Sequence, residues 1–216
     1  MPGSLIQAAP WPGPLSLTAR ALLSTVLVLV VVQMLGRPLV RAMLPVISTM
    51  APLLDPRFDI TDVRLDRFGA DEVVRVRGNL SRPLLIGDRI IDPFGWNGTP
   101  AGGLQSTYTM GGALEYSSLL LILVLAWPAS SALELFCRVA LAVPCAALLP
   151  VLIVPFTVVA EFRHGLEGLA GPSPPGGSLI ASRYLMGGGG WVIALMVAVF
   201  CIVIARRIPR TGVTAA

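Results

Sequence analysis

Four apolar stretches recur along the chain, and each is too long and too poor in charge for the surface of a water-soluble domain. Leu22–Leu35 is the first, Leu119–Trp127 sits in the second, Val139–Ala160 is the third and Trp191–Ala205 the fourth. With its flanks, each can cross a hydrocarbon layer of about 30 Å as a helix. No water is available there to bond a bare backbone amide or carbonyl, so such segments must be helices rather than open strands. The expected fold is a mainly α membrane protein with about four transmembrane helices. A small extracytoplasmic antiparallel β segment is expected between the first two of them.

Composition agrees with that class. Hydrophobic residues make up 55% of the chain and charged residues 13%, against about 25% charged in soluble domains. All 16 basic residues are arginine, a bias that fits a GC-rich bacterial genome rather than a chemical need for guanidinium. The net charge of +4 is scattered and forms no basic stripe, which argues against nucleic-acid binding. The cysteines, Cys137, Cys145 and Cys201, lie in or beside apolar stretches, where a thiol behaves as a small hydrophobe. They supply neither a disulfide framework nor a Cys-x-x-Cys metal or haem signature, so no cofactor is expected.

Arginine placement sets the orientation. Arg20 precedes the first stretch, and Arg206, Arg207 and Arg210 follow the last. The excess of positive charge on cytoplasmic loops then puts both termini in the cytoplasm, which requires an even number of spans. Arg138 falls in the short turn between the second and third spans, on the same side. The location that follows is a bacterial inner membrane, with the first stretch kept as an anchor rather than cleaved as a signal peptide. Arg37 and Arg41 stand on the outer side against the rule, and are read as snorkelling to the interface.

The chain divides accordingly. Residues 1–54 form the anchor helix and an extension, in which Leu39, Met43, Leu44, Val46, Ile47 and Met50 share a helical face and Pro45 is a break. Residues 55–112 are the outer β segment and a glycine-rich loop. Residues 113–160 hold the paired second and third spans, and residues 161–216 an outer loop, the last span and a tail. From Asp59 to Ile91 the period becomes two: Val63 and Leu65 alternate with Asp62, Arg64 and Asp66, while Val74 and Val76 alternate with Arg75 and Arg77. Leu84–Ile91 is expected as the third strand, with turns at Phe68–Asp71 and Gly78–Ser81. Asp92–Gly112, with Phe94, Trp96 and Tyr108, is expected to be a loop at the sheet edge or membrane surface. The acceptor pattern Asn97-Gly98-Thr99 is discounted as a glycosylation site in a bacterial chain.

Three groups carry candidate chemistry. Arg75 and Arg77 are read as part of a solvated, ion-paired face, or alternatively of a docking surface for an added strand. Glu134 and Arg138 are four apart and suit an ion-paired helix turn. Glu161, Arg163 and His164, with Glu167 beyond, are the densest polar cluster near a span end and the one set able to do acid–base work. A thiol enzyme built from Cys137 or Cys145 with Arg163 and His164 is rejected, because Leu-Phe-Cys-Arg and Val-Pro-Cys-Ala do not match the small-residue motif of membrane sorting enzymes. Gly187–Gly190 before Trp191 lacks the lysine of a phosphate loop and reads as close helix packing or as a flexible entry to the membrane, with Trp191 anchoring the interface. Pro144, Pro150 and Pro155 imply a third span that packs inside the bundle, where neighbours satisfy the carbonyls freed by proline.

The order of these parts resembles the small membrane proteins that accompany exosortases, the exosortase H-associated type in particular. The resemblance rests on the N-terminal anchor, on Val-Arg-Val-Arg-Gly-Asn-Leu in the outer strands, on the paired central spans and on Tyr184–Gly190 leading into the last span. It implies a non-catalytic accessory protein of a protein-sorting system, whose membrane partner is an exosortase-like enzyme carrying the cysteine chemistry. A small transporter or channel component is the alternative, and a membrane enzyme using Glu161, Arg163 and His164 stands behind it.

Overall fold

The computed structural model describes residues 14–86, 89–91, 103–170 and 177–207. The expectations placed on Phe94, Trp96, Asn97–Thr99, Gly87 and Arg210 lie outside the described residues.

The first apolar stretch is part of one uninterrupted helix, α1, Pro14–Leu54. Its 41 residues rise by about 60 Å, twice what a bilayer core requires. Pro45 does not break it, and neither do Pro38 and Pro52. The upper half stays helical because Val40, Met43, Ile47 and Ala51 are buried in a common core with the sheet. That burial outweighs the hydrogen bonds lost at each proline.

β1 (Phe58–Phe68) and β2 (Asp71–Leu80) form an antiparallel hairpin, in register from Phe58 opposite Leu80 to Phe68 opposite Asp71. Gly69 sits in the left-handed region at φ 63°, which is why glycine serves in the expected turn at Phe68–Asp71. The expected turn at Gly78–Ser81 is corrected: β2 continues through Gly78 to Leu80. A Cβ on Gly78 would come within 2.9 Å of both the Asp59 carbonyl and the Phe162 ring. Glycine is used there for close approach and not for turning.

The third strand is also corrected. Among the described residues of this segment, β3 (Leu84–Ile86) and β4 (Arg89–Ile91) pair with each other and not with the sheet. The third position belongs to β5 (Leu104–Thr109), from the segment expected to be a loop, and the sheet order is β1-β2-β5. Tyr108 lies opposite Val74, Ser106 opposite Val76 and Leu104 opposite Gly78. The alternation of β5 was obscured because one of its inward residues is a serine.

α2 (Met110–Ala126) begins directly after β5, capped by the Thr109 hydroxyl, which accepts from the Gly112 amide at 3.2 Å. α3 (Ala132–Ala170) has 39 residues and extends well past Ala160, so Glu161–Glu167 belong to a helix and not to an outer loop. α4 (Gly177–Tyr184) is short, and a π turn over Leu185–Gly189 joins it to α5 (Gly190–Arg207).

The helices alternate in direction. Arg20 at the start of α1 lines a cleft with Trp127 and Ser131 between α2 and α3, and Arg206 at the end of α5 reaches Glu134 at the start of α3. At the opposite end, Phe162 of α3 meets Phe58 of β1 with ring centroids 5.6 Å apart. Two cores follow. Tyr116, Leu120, Val124, Ala142, Ala146, Ala194, Ala198 and Cys201 fill one between α2, α3 and α5. Met43, Ile47, Phe58, Val74, Val76, Val158 and Phe162 fill the other, between the sheet and the upper halves of α1 and α3.

Among the described residues three helices are long and apolar enough to cross a membrane, namely Ser16–Leu54, Ala132–Leu166 and Ile180–Arg207; α2 is apolar but shorter. All three expected prolines lie inside α3. Pro150 has no amide hydrogen to offer the Ala146 carbonyl four residues back. The Ser117 hydroxyl of α2 donates to that carbonyl at 2.6 Å instead.

Candidate functional site

The described polar groups gather where the sheet meets the helices. Asp55 is the first residue after α1 and is almost fully buried. Its carboxylate accepts from Arg57 Nε at 2.9 Å and Nη2 at 3.1 Å, and from Arg163 of α3 at 3.0 Å through Nε and 2.6 Å through Nη2. Burial pushes the Asp55 pKa upward, but the Arg57 and Arg163 hydrogen bonds outweigh it and hold the carboxyl below its ordinary 3.8. Asp55 was absent from the sequence-derived candidates. The signal that could have found it is an isolated carboxylate between an apolar helix and a strand.

Glu161 faces a different strand. The Ser106 hydroxyl of β5 donates to its carboxylate, 55 positions away in sequence. Tyr108, two residues on, has its hydroxyl pushed up to about 12, by burial first and then by the charges of Tyr116, Glu115 and Glu161. Glu161 and Arg163 therefore flank Phe162 and bind β5 and the start of β1 respectively, while His164 is exposed. The structure spreads these three residues over separate contacts. Cys145 lies about 27 Å below Arg163 along α3, and it packs with Cys201 in the other core. That separation rules out the thiol and arginine as one site.

Arg75 and Arg77 lie on the outward face of the sheet. Arg75 reaches Asp66 at 2.7 Å, and Arg64 bridges Asp66 and Asp62 at 3.7 and 3.5 Å. Arg77 lies opposite Asp62 and presents an exposed side chain. The Asp66 carboxyl is held below its ordinary value, chiefly by the Arg67 amide, with desolvation opposing it and the charges of Arg75, Arg64 and Arg77 adding to it. Cross-strand ion pairing thus accounts for Arg75. Among the described residues β1 is an edge of the sheet, with β2 on one side only.

At the far end, Arg138 lies inside α3 rather than in the turn expected between the spans, and it is fully buried. It pairs with Glu134 and donates to the carbonyls of Trp127 at 2.9 Å and Pro128 at 3.0 Å. Glu134 also accepts from the Ser130 amide at 2.9 Å, and its own amide donates to Ser131 Oγ at 3.1 Å. The result is a helix start held by a capping box and an internal guanidinium. Among the described residues no group of three or more His, Cys, Asp or Glu is placed to hold a metal ion.

Comparison with protein-family models, with curated proteins and with solved structures found no match.

Proposed function

We propose that the chain is a four-span membrane protein whose sheet stands outside the bilayer as a docking platform for a membrane partner. Side-chain exposure supports the placement. The exposed apolar residues of α1 are densest from Leu22 to Leu35, below Arg37, with Leu17, Val46 and Leu53 outside that run. Those of α5 run from Trp191 to Val203 and stop at Arg206. On α2 an apolar run of buried and half-buried residues lies between Glu115 and Trp127. A band bounded by tryptophan and charge at both edges is what a bilayer demands. The two long helices then project about 25 Å beyond it and hold the sheet there. With Arg20, Arg138 and Arg206 on one side, that side is the cytoplasm of a bacterial inner membrane.

The observation that carries the docking role is the Asp55–Arg163 contact. It fixes the first strand to the helices, while β1 has a neighbouring strand on one side only among the described residues. A rigid sheet with an open edge and a charged face can take an added strand or a complementary partner. Arg163 and Glu161 are engaged in holding the sheet, which favours an accessory role over catalysis. The layout resembles exosortase-associated proteins, so the partner in this reading is a sorting enzyme of that kind.

The test is purification of the tagged protein in mild detergent, with mass spectrometry of what co-elutes. A stoichiometric membrane enzyme, lost on Arg75→Glu/Arg77→Glu substitution while the helical spectrum is kept, supports the reading. A homo-oligomer with no second protein sinks it.

A further inference from the structure

The β1–β2 hairpin points back toward the membrane. From Arg37 to Leu54 α1 climbs about 26 Å, and β1 then descends about 33 Å from Phe58 to Phe68. The hairpin tip thus returns to the level of Arg37, whose guanidinium lies 3.4 Å from Glu72. Beside it opens a cavity of about 630 Å³, lined by Gln33, Arg37, Arg67, Asp71, Glu72 and the first residues of α2.

The polar groups in this cavity are poorly served by the protein. Gln33 lies one turn below Arg37, at the top of the exposed apolar belt, and its side chain has no hydrogen-bond partner among the described residues. In the membrane placement proposed above, this exposed amide meets the hydrocarbon edge, where a missing partner is costly. Neither the Arg67 guanidinium nor the Asp71 carboxylate has an ion-pair partner within 4 Å among the described residues. The Arg37–Glu72 pair is a single contact rather than a bidentate grip. Phe68, at the hairpin tip, is 69% exposed, as an aromatic anchor at the lipid interface would be.

We propose that this cavity binds the headgroup of an outer-leaflet phospholipid that carries an ammonium, as phosphatidylethanolamine does. The phosphate meets Arg37 and Arg67, the ammonium meets Asp71 and Glu72, and Gln33 bonds the glycerol ester region below. The two charge signs in one cavity fit a zwitterion, whereas a free phosphate ion would meet the arginines but bring no cation to the Asp71 carboxylate. The inference rests on the membrane placement above and is independent of the docking role.

The experiment reconstitutes the full chain in nanodiscs of phosphatidylcholine doped with phosphatidylethanolamine or phosphatidylglycerol, and counts retained lipids by native mass spectrometry after release into detergent. One tightly held phosphatidylethanolamine is expected. Retention should fall at least fivefold in Arg67→Gln and in Asp71→Asn, and inorganic phosphate at millimolar concentration should not displace it. Arg183→Gln, remote from the cavity, should retain lipid normally. Equal retention of all three lipids, unchanged retention in both variants, or displacement by inorganic phosphate would overturn the proposal. A chain that stays out of the membrane fraction altogether would overturn the membrane placement instead, so the two failures are distinct.

Discussion

Arg163, near the end of α3, donates to Asp55, 108 positions earlier in the chain, at 2.6 and 3.0 Å. The contact closes the upper half of the molecule, because Asp55 is the joint between α1 and β1. Arg57 would still serve the carboxylate after Arg163→Ala, so that change should cost about 1–2 kcal/mol. Asp55→Ala leaves two guanidiniums without their acceptor and should cost about 3 kcal/mol. Thermal unfolding in detergent, together with the rate of protease cleavage within the sheet, checks the order. Equal and negligible effects would remove the joint from the account.

Acid should act through the same carboxylate. Its folded pKa lies below the ordinary 3.8 because of the arginine hydrogen bonds. A depressed carboxylate contributes stability that is fully present well above 3.8 and is lost as pH falls through the lower folded value. The unfolding midpoint should therefore be flat near neutrality and decline below about pH 4. Asp55→Asn should flatten that acid limb relative to the parent chain. An identical slope in both proteins would assign acid sensitivity to other carboxylates.

Ser117 bonds a carbonyl that Pro150 has deprived of its helical partner. Ser117→Ala alone should destabilise by about 1–2 kcal/mol, the cost of an unsatisfied buried acceptor. With Pro150→Ala also present, the restored amide can take over, and the serine substitution should then cost much less. A double-mutant cycle by equilibrium unfolding reads this directly. Additive effects would mean that the hydroxyl does not compensate for the proline.

Gly190 gives α5 its contact with α2. A Cβ there would lie 2.5 Å from the Tyr116 ring, which is buried and holds the Leu185 carbonyl through its hydroxyl at 3.3 Å. Gly190→Ala should cost about 1–3 kcal/mol by overpacking. Gly187→Ala, where nothing lies within 4 Å, should be far milder in the same melting experiment. Gly188, at φ 112°, should not tolerate alanine as Gly187 does.

Glu134→Ala should be the most damaging of the surface-remote changes at the other end. It leaves the Arg138 guanidinium fully buried without its carboxylate. A loss of about 3–5 kcal/mol is expected, read as reduced yield and a lower melting temperature in detergent. Glu134→Gln, which keeps an oxygen for Arg138, should recover part of it.

The apolar stretches and the change of period at Asp59 were sufficient to foresee helices, a β1–β2 hairpin and the turn at Gly69. These features depend on local chemistry: hydrophobic runs, alternation and a residue that adopts positive φ. The Glu134–Arg138 pair was equally legible, since four residues make one helical turn. What the chain could not declare locally was how far α1 and α3 continue, because packing against the sheet holds them helical across Pro45 and beyond Ala160. Nor could it reveal that Leu104–Thr109, with an inward serine, takes the third place in the sheet in preference to the more apolar Leu84–Ile91. Asp55 and Arg163 meet, and Gly78 must be glycine, only because α3 rises beside β1 and brings Phe162 against Phe58. Such contacts are set by long-range packing, and local periodicity carries no information about which distant surfaces will meet.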